Sequence, residues 1–361
     1  MRYIIVTGII GLIAGLSEFL STFADGATTP YYFIIPGLLL GIVIILGGCE
    51  LFANSVECLG DRLDMSHATV GSLLAAVGTA LPETIVPILA LLFGHKTHGM
   101  EIAVGAILGA PFMLGTIAMF LLGITVTLLK VTGRRNKALL DINAPALKLE
   151  MVFFIITISI LIVTSLIGIG TVNHISGVIL LTIYVVFVFF TLRHESEEGE
   201  EYTEHFHFTT LLQCPKNMRW IIIQLIAGLI FIIFGAHLFV KYLTAFSIKT
   251  GIPSLILSLI ITPVATELPE KFNSITWTIK GKDTIGIGNI TGAMVFQSTI
   301  PVSIGLFFTT WQLSPLEFYN LTSCLVMAAL ILIYVKKKND LPAPVLLAGG
   351  LFYLGYILLV I

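Results

Sequence analysis

Two stretches of the sequence place a carboxylate directly after a proline in matching company: GTALPE (Gly78 to Glu83) and ATELPE (Ala265 to Glu270). Both lie deep in apolar surroundings. A carboxylate at the centre of a membrane helix costs about 2.5–3.5 kcal/mol on insertion scales, so such residues are functional by default. Two anions brought close in a low dielectric require a cation or a proton between them. The prolines add ligands. A proline inside a helix removes one backbone hydrogen bond and frees the carbonyl one turn earlier. Those carbonyls belong to Gly78 and Ala265, with Ala76 and Pro263 nearby. Carbonyls, the hydroxyls of Thr79 and Thr266, and the carboxylates of Glu83 and Glu270 are all hard oxygen donors. Calcium takes roughly 6–8 such oxygens at about 2.3–2.6 Å. No His or Cys joins the set, which disfavours zinc and copper. Proline also serves as a plain kink, and one buried Glu can pair structurally. Two symmetric copies weigh toward a shared cation site.

The elements that carry these residues must cross a bilayer. Of the 361 residues 57% are hydrophobic and only 11% charged, against about 25% charged in soluble domains. A water-soluble core cannot hide that much apolar surface, so the chain reads as an integral membrane protein built from helices. Apolar runs predict spans over 3–23, 32–57, 68–93, 101–129, 150–169, 175–192, 219–246, 253–280, 284–311, 317–335 and 342–360, eleven in all. The first reads as a retained helix, although its TFADGA end resembles a cleavage site. Net charge is −2 and no basic patch suggests nucleic acid. The four cysteines are scattered and show neither metal-ligand nor disulfide-framework spacing.

Alternating the loops across the bilayer tests the span count. One face then collects fifteen Lys and Arg residues, the other only Lys96, Lys241 and Lys249. The positive-inside rule makes the rich face cytoplasmic. The N-terminus and the loop 194–218 then lie inside and the C-terminus outside. That loop holds HESEEGEEYTEHFHF, either a cation-binding regulatory element or a solvated acidic linker.

The motifs belong to an internal repeat. An offset of 187 aligns Pro82-Glu83 with Pro269-Glu270, Thr79 with Thr266, and Gly48, Leu51 and Phe52 with Gly235, Leu238 and Phe239. After a four-residue contraction, IAVGAILGA (Ile102 to Ala110) meets IGIGNITGA (Ile285 to Ala293). Five spans separate the two copies, so they run through the membrane in opposite directions. Inverted repeats of this kind are common in secondary transporters, with ion sites near the midplane at the repeat interface.

This pattern resembles the two alpha-repeats of the calcium/cation antiporter superfamily, particularly the sodium/calcium exchangers. GTALPE and ATELPE match the family's G-T-S-L-P-E element. GAILGAPFML (Gly105 to Leu114) and GNITGAMVFQ (Gly288 to Gln297) match its G-N-x-x-G-S-N-I-F-N/D element loosely. The resemblance covers spans two to eleven and implies a ten-helix core plus one extra N-terminal helix. It implies that Glu83 and Glu270 coordinate calcium, with Thr79 and Thr266 as partners. The departures concern sodium: Ala110 and Ala293 replace serines, and Leu114 and Gln297 stand where the family has an amide or acid.

The expected architecture is therefore all-α and polytopic, two inverted five-helix repeats plus one N-terminal helix. The segments are 1–30, a first repeat 31–193, the acidic loop 194–218, and a second repeat 219–361. The expected function is exchange of Ca2+ for Na+ or H+ by alternating access in the cell membrane. The chain needs no cofactor, and its partners are inorganic cations and the lipid bilayer. The expected ion-site residues are Glu83, Glu270, Thr79, Thr266, Glu267, Gln297, Ala76 and Asn289. Glu267 and Lys271 are i,i+4 in the favourable order for a helical ion pair. Either they neutralise each other, or Glu267 is a third ligand or proton carrier. Asn289 either lines the path or bonds across helices. A cation channel is a weaker alternative. An intramembrane hydrolase would want an aspartate pair, a Ser/His arrangement or HExxH, and none appears.

Overall fold

The computed structural model describes residues 31–62, 81–94, 96–194 and 206–360. The first predicted span, the stretch 63–80 with Ala76 and Thr79, and the acidic run 195–205 lie outside them. Helices run over α1 (Tyr31–Arg62), α2 (Leu81–Phe93), α3 (Lys96–Met113), α4 (Met119–Val131), α5 (Ala144–Ile167), α6 (Gly170–His194) and α7 (His207–Leu212). They continue with α8 (Met218–Thr250), α9 (Ser254–Thr266), α10 (Leu268–Ile279), α11 (Asp283–Gln297), α12 (Ile300–Phe308), α13 (Pro315–Lys338) and α14 (Ala343–Val360). Among the described residues, eight helical runs are long and apolar enough to cross a membrane. The chain is thus an all-α polytopic membrane protein. Its outer faces carry exposed Ile156, Val163, Leu166, Val178, Val185, Leu351 and Leu358, as expected where the surrounding solvent is lipid.

Local signals in the sequence set the ends. Asn143 caps α5 by accepting the Ala146 N–H, and Gly168 ends that helix at φ 64°. Asn217 caps α8 in the same way, and Gly251 ends it at φ 73°. Ser314, Pro315 and Glu317 start α13 with a capping box.

Within the described residues the predicted spans recur as helices, with three internal corrections. The span over 253–280 is two helices, α9 and α10, because the chain leaves helical geometry at Glu267 (φ −95°, ψ 7°). Pro269 therefore stands in the first turn of α10 rather than inside a helix. The span over 284–311 breaks between α11 and α12 at Ser298 and Thr299, just before Pro301. The span over 101–129 contains a π-helical turn, Leu114–Ala118, between α3 and α4.

The chain divides into two compact units, residues 1–105 with 192–261, and 106–191 with 262–361. Each draws segments from both halves of the sequence. In the first unit α1 and α8 pack antiparallel along their length through four glycines. A Cβ on Gly41 would fall 3.1 Å from Gly235 O, and one on Gly48 2.9 Å from Gly228 O. The offset of 187 carries Gly41 to Gly228 and Gly48 to Gly235. Each contact is therefore the symmetry copy of the other, and the crossing sits on the pseudo-two-fold of the repeat. In the same unit α3 and α9 run parallel, with His98 Nδ1 2.9 Å from Ser254 Oγ and Ser258 Oγ donating to Ile102 O at 2.6 Å. The segment after the acidic run packs Phe206, Phe208 and Cys214 against Leu51, Cys58 and Ile221. His207, one of the loop histidines, lies 3.1 Å from Glu50 of α1.

In the second unit α5 and α11 run parallel. Glu150 meets Thr291 (2.5 Å) and, seven residues on in both helices, Thr157 meets Ser298 (2.8 Å). α13 lies antiparallel to α5: Lys148 donates to Asn339 Oδ1 and the Leu313 N–H to Ser165 Oγ. These directions are those required by the predicted alternation of spans. At one end, a two-residue strand β1 (Leu139–Leu140) pairs antiparallel with β2 (Leu341–Pro342). Beside it Arg135 grips Asp283 bidentately and donates to Thr278 O at 2.9 Å.

Candidate functional site

The two acids singled out by the sequence are both buried. Glu83 is 3% exposed near the start of the described part of α2, in the first unit. Glu270 is 2% exposed in the first turn of α10, in the second. The helix that carries Glu83 continues through Pro87, so this carboxylate is held in a kinked apolar helix of Leu, Ile and Val. Ala76 and Thr79 lie outside the described residues.

The second copy is defined in detail. Thr266, 1% exposed, ends α9 and donates its hydroxyl to Thr262 O at 3.1 Å. Its oxygen lone pairs stay available for a ligand. Glu267 is fully buried at the break. Its Oε2 lies 3.0 Å from Lys271 Nζ, one turn into α10. The i,i+4 pair therefore forms even though the helix breaks between its members. The Pro263 carbonyl, named as lying near the freed one, is occupied: it accepts the Glu267 N–H at 3.1 Å and Lys271 Nζ at 3.3 Å. Lys271 thus ties the last turn of α9 to the first of α10, and it balances the charge of Glu267. The motif also carries Glu270, the acid that matches Glu83 of the first copy.

Asn289 resolves to the cross-helix bond. Its amide nitrogen on α11 donates to Glu270 O (3.1 Å) and to Ser274 Oγ (2.9 Å), both on α10. It fixes the backbone that carries Glu270 while its own Oδ1 keeps its acceptor capacity. Gln297 stands at the far end of α11, about 12 Å along the axis from Asn289. It is 1% exposed, and neither of its amide atoms has a hydrogen-bond partner. A buried amide left in this state costs about 1–3 kcal/mol. Its counterpart Leu114 is fully buried on the π-helical turn and offers no oxygen.

Two further acids, one half-buried and one buried, were missed by the motif reading. Glu150 on α5 accepts the Thr291 hydroxyl, beside the GNITGA run. Glu317 on α13 is 2% exposed. A further contraction of the repeat alignment, to an offset of 167, pairs them.

Comparisons with known proteins agree on one family. The model for "sodium/calcium exchanger protein" matches residues 33–193 and 220–361, both halves of the chain. The inner membrane protein YrbG of Escherichia coli (strain K12) is 23% identical over 322 residues, covering 87% of this chain and 93% of the relative. A crystal structure of the H+/Ca2+ exchanger CAX superposes with a TM-score of 0.72 at 15% identity, over 99% of this chain and 89% of the other. The sodium-calcium exchanger NCX_Mj superposes with a TM-score of 0.56 at 19% identity, over 90% and 97% respectively.

Proposed function

We propose that this chain, which belongs to the sodium/calcium exchanger family, moves Ca2+ across the membrane in exchange for Na+ through Glu83 and Glu270. Members of this family are cation transporters rather than enzymes, and calcium is here a substrate rather than a resident cofactor. One observation carries the assignment of the site. The family match spans both halves of the sequence, and in each half the acid after the Leu-Pro turn is buried. With Lys271 paired to Glu267, each copy contributes the acid of its Leu-Pro-Glu turn, and two carboxylates match the charge of one divalent cation. Thr79 and Thr266 supply further oxygens, and Asn289 holds the Glu270 backbone in place. Gln297 offers an amide to the counter-ion.

The mechanism follows from charge. An empty pair of carboxylates is too costly to move through a low-dielectric barrier. Loading with one divalent cation, or with monovalent ions, neutralises it and permits occlusion. The carrier then changes face only when loaded, which makes the process an exchange. The loop charges favour a cytoplasmic N-terminus and 194–218 loop, an external C-terminus, and residence in the cell membrane.

A second reading has H+ as the counter-ion. It is favoured by Leu114, a buried apolar side chain where the family resemblance implies a sodium-ligating amide. Calcium flux in proteoliposomes, with sodium and proton gradients imposed separately, distinguishes the two. The expected result is uptake driven by an outward sodium gradient and abolished in Glu83→Gln and Glu270→Gln. Drive by protons alone selects the second reading. Unchanged flux in both variants removes the site, and flux indifferent to every opposing gradient removes exchange.

A further inference from the structure

The repeat carries a second pair of acids outside the Pro-Glu motifs. Glu150 lies in the second turn of α5 and Glu317 in the first turn of α13. One offset, 167, relates Glu150 to Glu317 and Thr157 to Cys324. The contacts follow the same symmetry. Thr157 meets Ser298 of α11, while Cys324 lies against Gly115, the residue that matches Ser298 in the first repeat. The two acids therefore occupy one position in two copies of one scaffold.

Their surroundings differ. Glu150 is half-buried, and its Oε2 takes the Thr291 hydroxyl. Glu317 is 2% exposed; its Oε2 accepts the Ser314 N–H, but its Oε1 has no partner. Asn320, one turn on, is fully buried, with neither amide atom bonded. The Tyr356 hydroxyl of α14, also fully buried, stands at hydrogen-bonding reach of the Asn320 side chain, with the Glu317 charge nearby. Phe112 closes the ring side of Tyr356 at 5.2 Å between centroids. In the first repeat Phe153 stands where Asn320 does, so only the second copy has this polar pocket.

Each orphaned buried group costs about 1–3 kcal/mol, and Glu317 Oε1 and the Asn320 amide lie one turn apart on α13. A buried water satisfies hydrogen bonds but leaves the charge of Glu317 uncompensated. Among the described residues, basic groups pair with Glu101, Asp283, Glu50 and Glu267, none with Glu317. Hard oxygens around a single negative charge suit a monovalent cation; calcium sites supply more charge and more ligands. We propose that Glu317, Asn320 and Tyr356 form a site for one monovalent metal cation of the sodium class, separate from Glu83 and Glu270. It does not rest on the exchange reading.

The test uses the purified full chain in detergent, carrying Glu83→Gln and Glu270→Gln so that the motif acids are silent. Thermal unfolding is followed as NaCl replaces choline chloride at constant pH and ionic strength. The expected result is a saturable rise in Tm, as ligand binding to the folded state requires. Adding Glu317→Gln or Asn320→Leu abolishes it, and Glu150→Gln leaves it unchanged. Radiolabelled sodium binding to Tyr356→Phe gives a second readout independent of stability, with affinity expected to fall about threefold or more. No sodium response in the Glu83→Gln, Glu270→Gln background, or one that survives Glu317→Gln, overturns the site. So does an infrared band of a protonated carboxyl that vanishes with Glu317→Gln, because a proton then fills the place.

Discussion

Lys271 Nζ lies 3.0 Å from Glu267 Oε2 where α9 gives way to α10, and both residues are buried. Removing one member of a buried pair strands the other charge and costs about 3–5 kcal/mol. Lys271→Met is therefore expected to lower stability by that amount and to depress calcium flux with it. Glu267→Gln combined with Lys271→Met removes both charges and is expected to recover most of both. Detergent-solubilised melting curves and proteoliposome flux on the two variants check this. A double variant that is stable but transports nothing would instead make Glu267 a ligand in its own right.

The crossing of α1 and α8 predicts a sharp size limit. A Cβ at Gly235 would lie 2.8 Å from Ile45 N and 2.9 Å from Gly41 O, both backbone atoms that cannot step aside alone. Gly235→Leu is expected to cost about 1–3 kcal/mol through overpacking and to part the two helices. Gly288 has no atom within 4 Å of such a Cβ. Gly288→Ala, in a helix interior, is expected to gain about 0.5–1 kcal/mol. Melting curves that rank the two variants the other way would contradict the packing.

Much of this was legible in the sequence because bilayer helices announce themselves by apolar length, and because an inverted repeat is visible as identity at a fixed offset. The predicted ends of the α8, α13 and α14 spans fall within two residues of Met218, Pro315 and Val360, while the predicted α5 span starts six residues after Ala144. Asn143, Asn217 and Ser314 mark three of the starts with side-chain chemistry. The breaks at Glu267 and Thr299 were not legible, because hydropathy does not register a change of ψ within an apolar run. Proline was the only clue, and it was read as a kink inside one helix rather than as the first turn of the next. The occupied Pro263 carbonyl was missed for a related reason: Lys271 can fold back onto α9 only because the chain turns there. The second acid pair escaped because Glu150 and Glu317 sit at span ends, where a glutamate passes for an ordinary interfacial residue.

Arg135 predicts a clasp on which the α4–α5 and α10–α11 connections depend. Its guanidinium takes both oxygens of Asp283 and donates to Thr278 O and Leu139 O. The hydrogen-bonded Asp283 carboxylate raises the arginine pKa above its ordinary value. A raised pKa gives stability that is complete below the unfolded value and lost only above the folded one. On the arginine side, the contribution is thus flat with pH from neutral up to the ordinary value. Arg135→Gln is expected to cost about 1–3 kcal/mol by the same margin at neutral and moderately alkaline pH. It is also expected to speed amide exchange at Asp141, which donates to Asp283 at 3.0 Å. A loss confined to one end of that pH range would mean that another group titrates with the clasp.

The coupling ion can be pressed at a single position. Leu114 is fully buried on the π-helical turn, at the place matched in the second repeat by Gln297, whose amide has no hydrogen-bond partner. The family resemblance puts an amide or acid at both positions, and in this chain only the second has one. Leu114→Asn supplies the missing oxygen. Without an ion, a buried unpaired amide is expected to lower stability by about 1–3 kcal/mol in choline chloride. Sodium at about a hundred times its dissociation constant is expected to restore about 2.7 kcal/mol. The same variant is expected to show a steeper dependence of calcium flux on the sodium gradient, with its proton dependence unchanged. Melting in sodium against choline, together with flux under separate sodium and proton gradients, reads both effects. If Leu114→Asn is destabilised equally in the two salts and its flux follows only protons, an oxygen at this position does not meet sodium, and the chain's counter-ion is the proton.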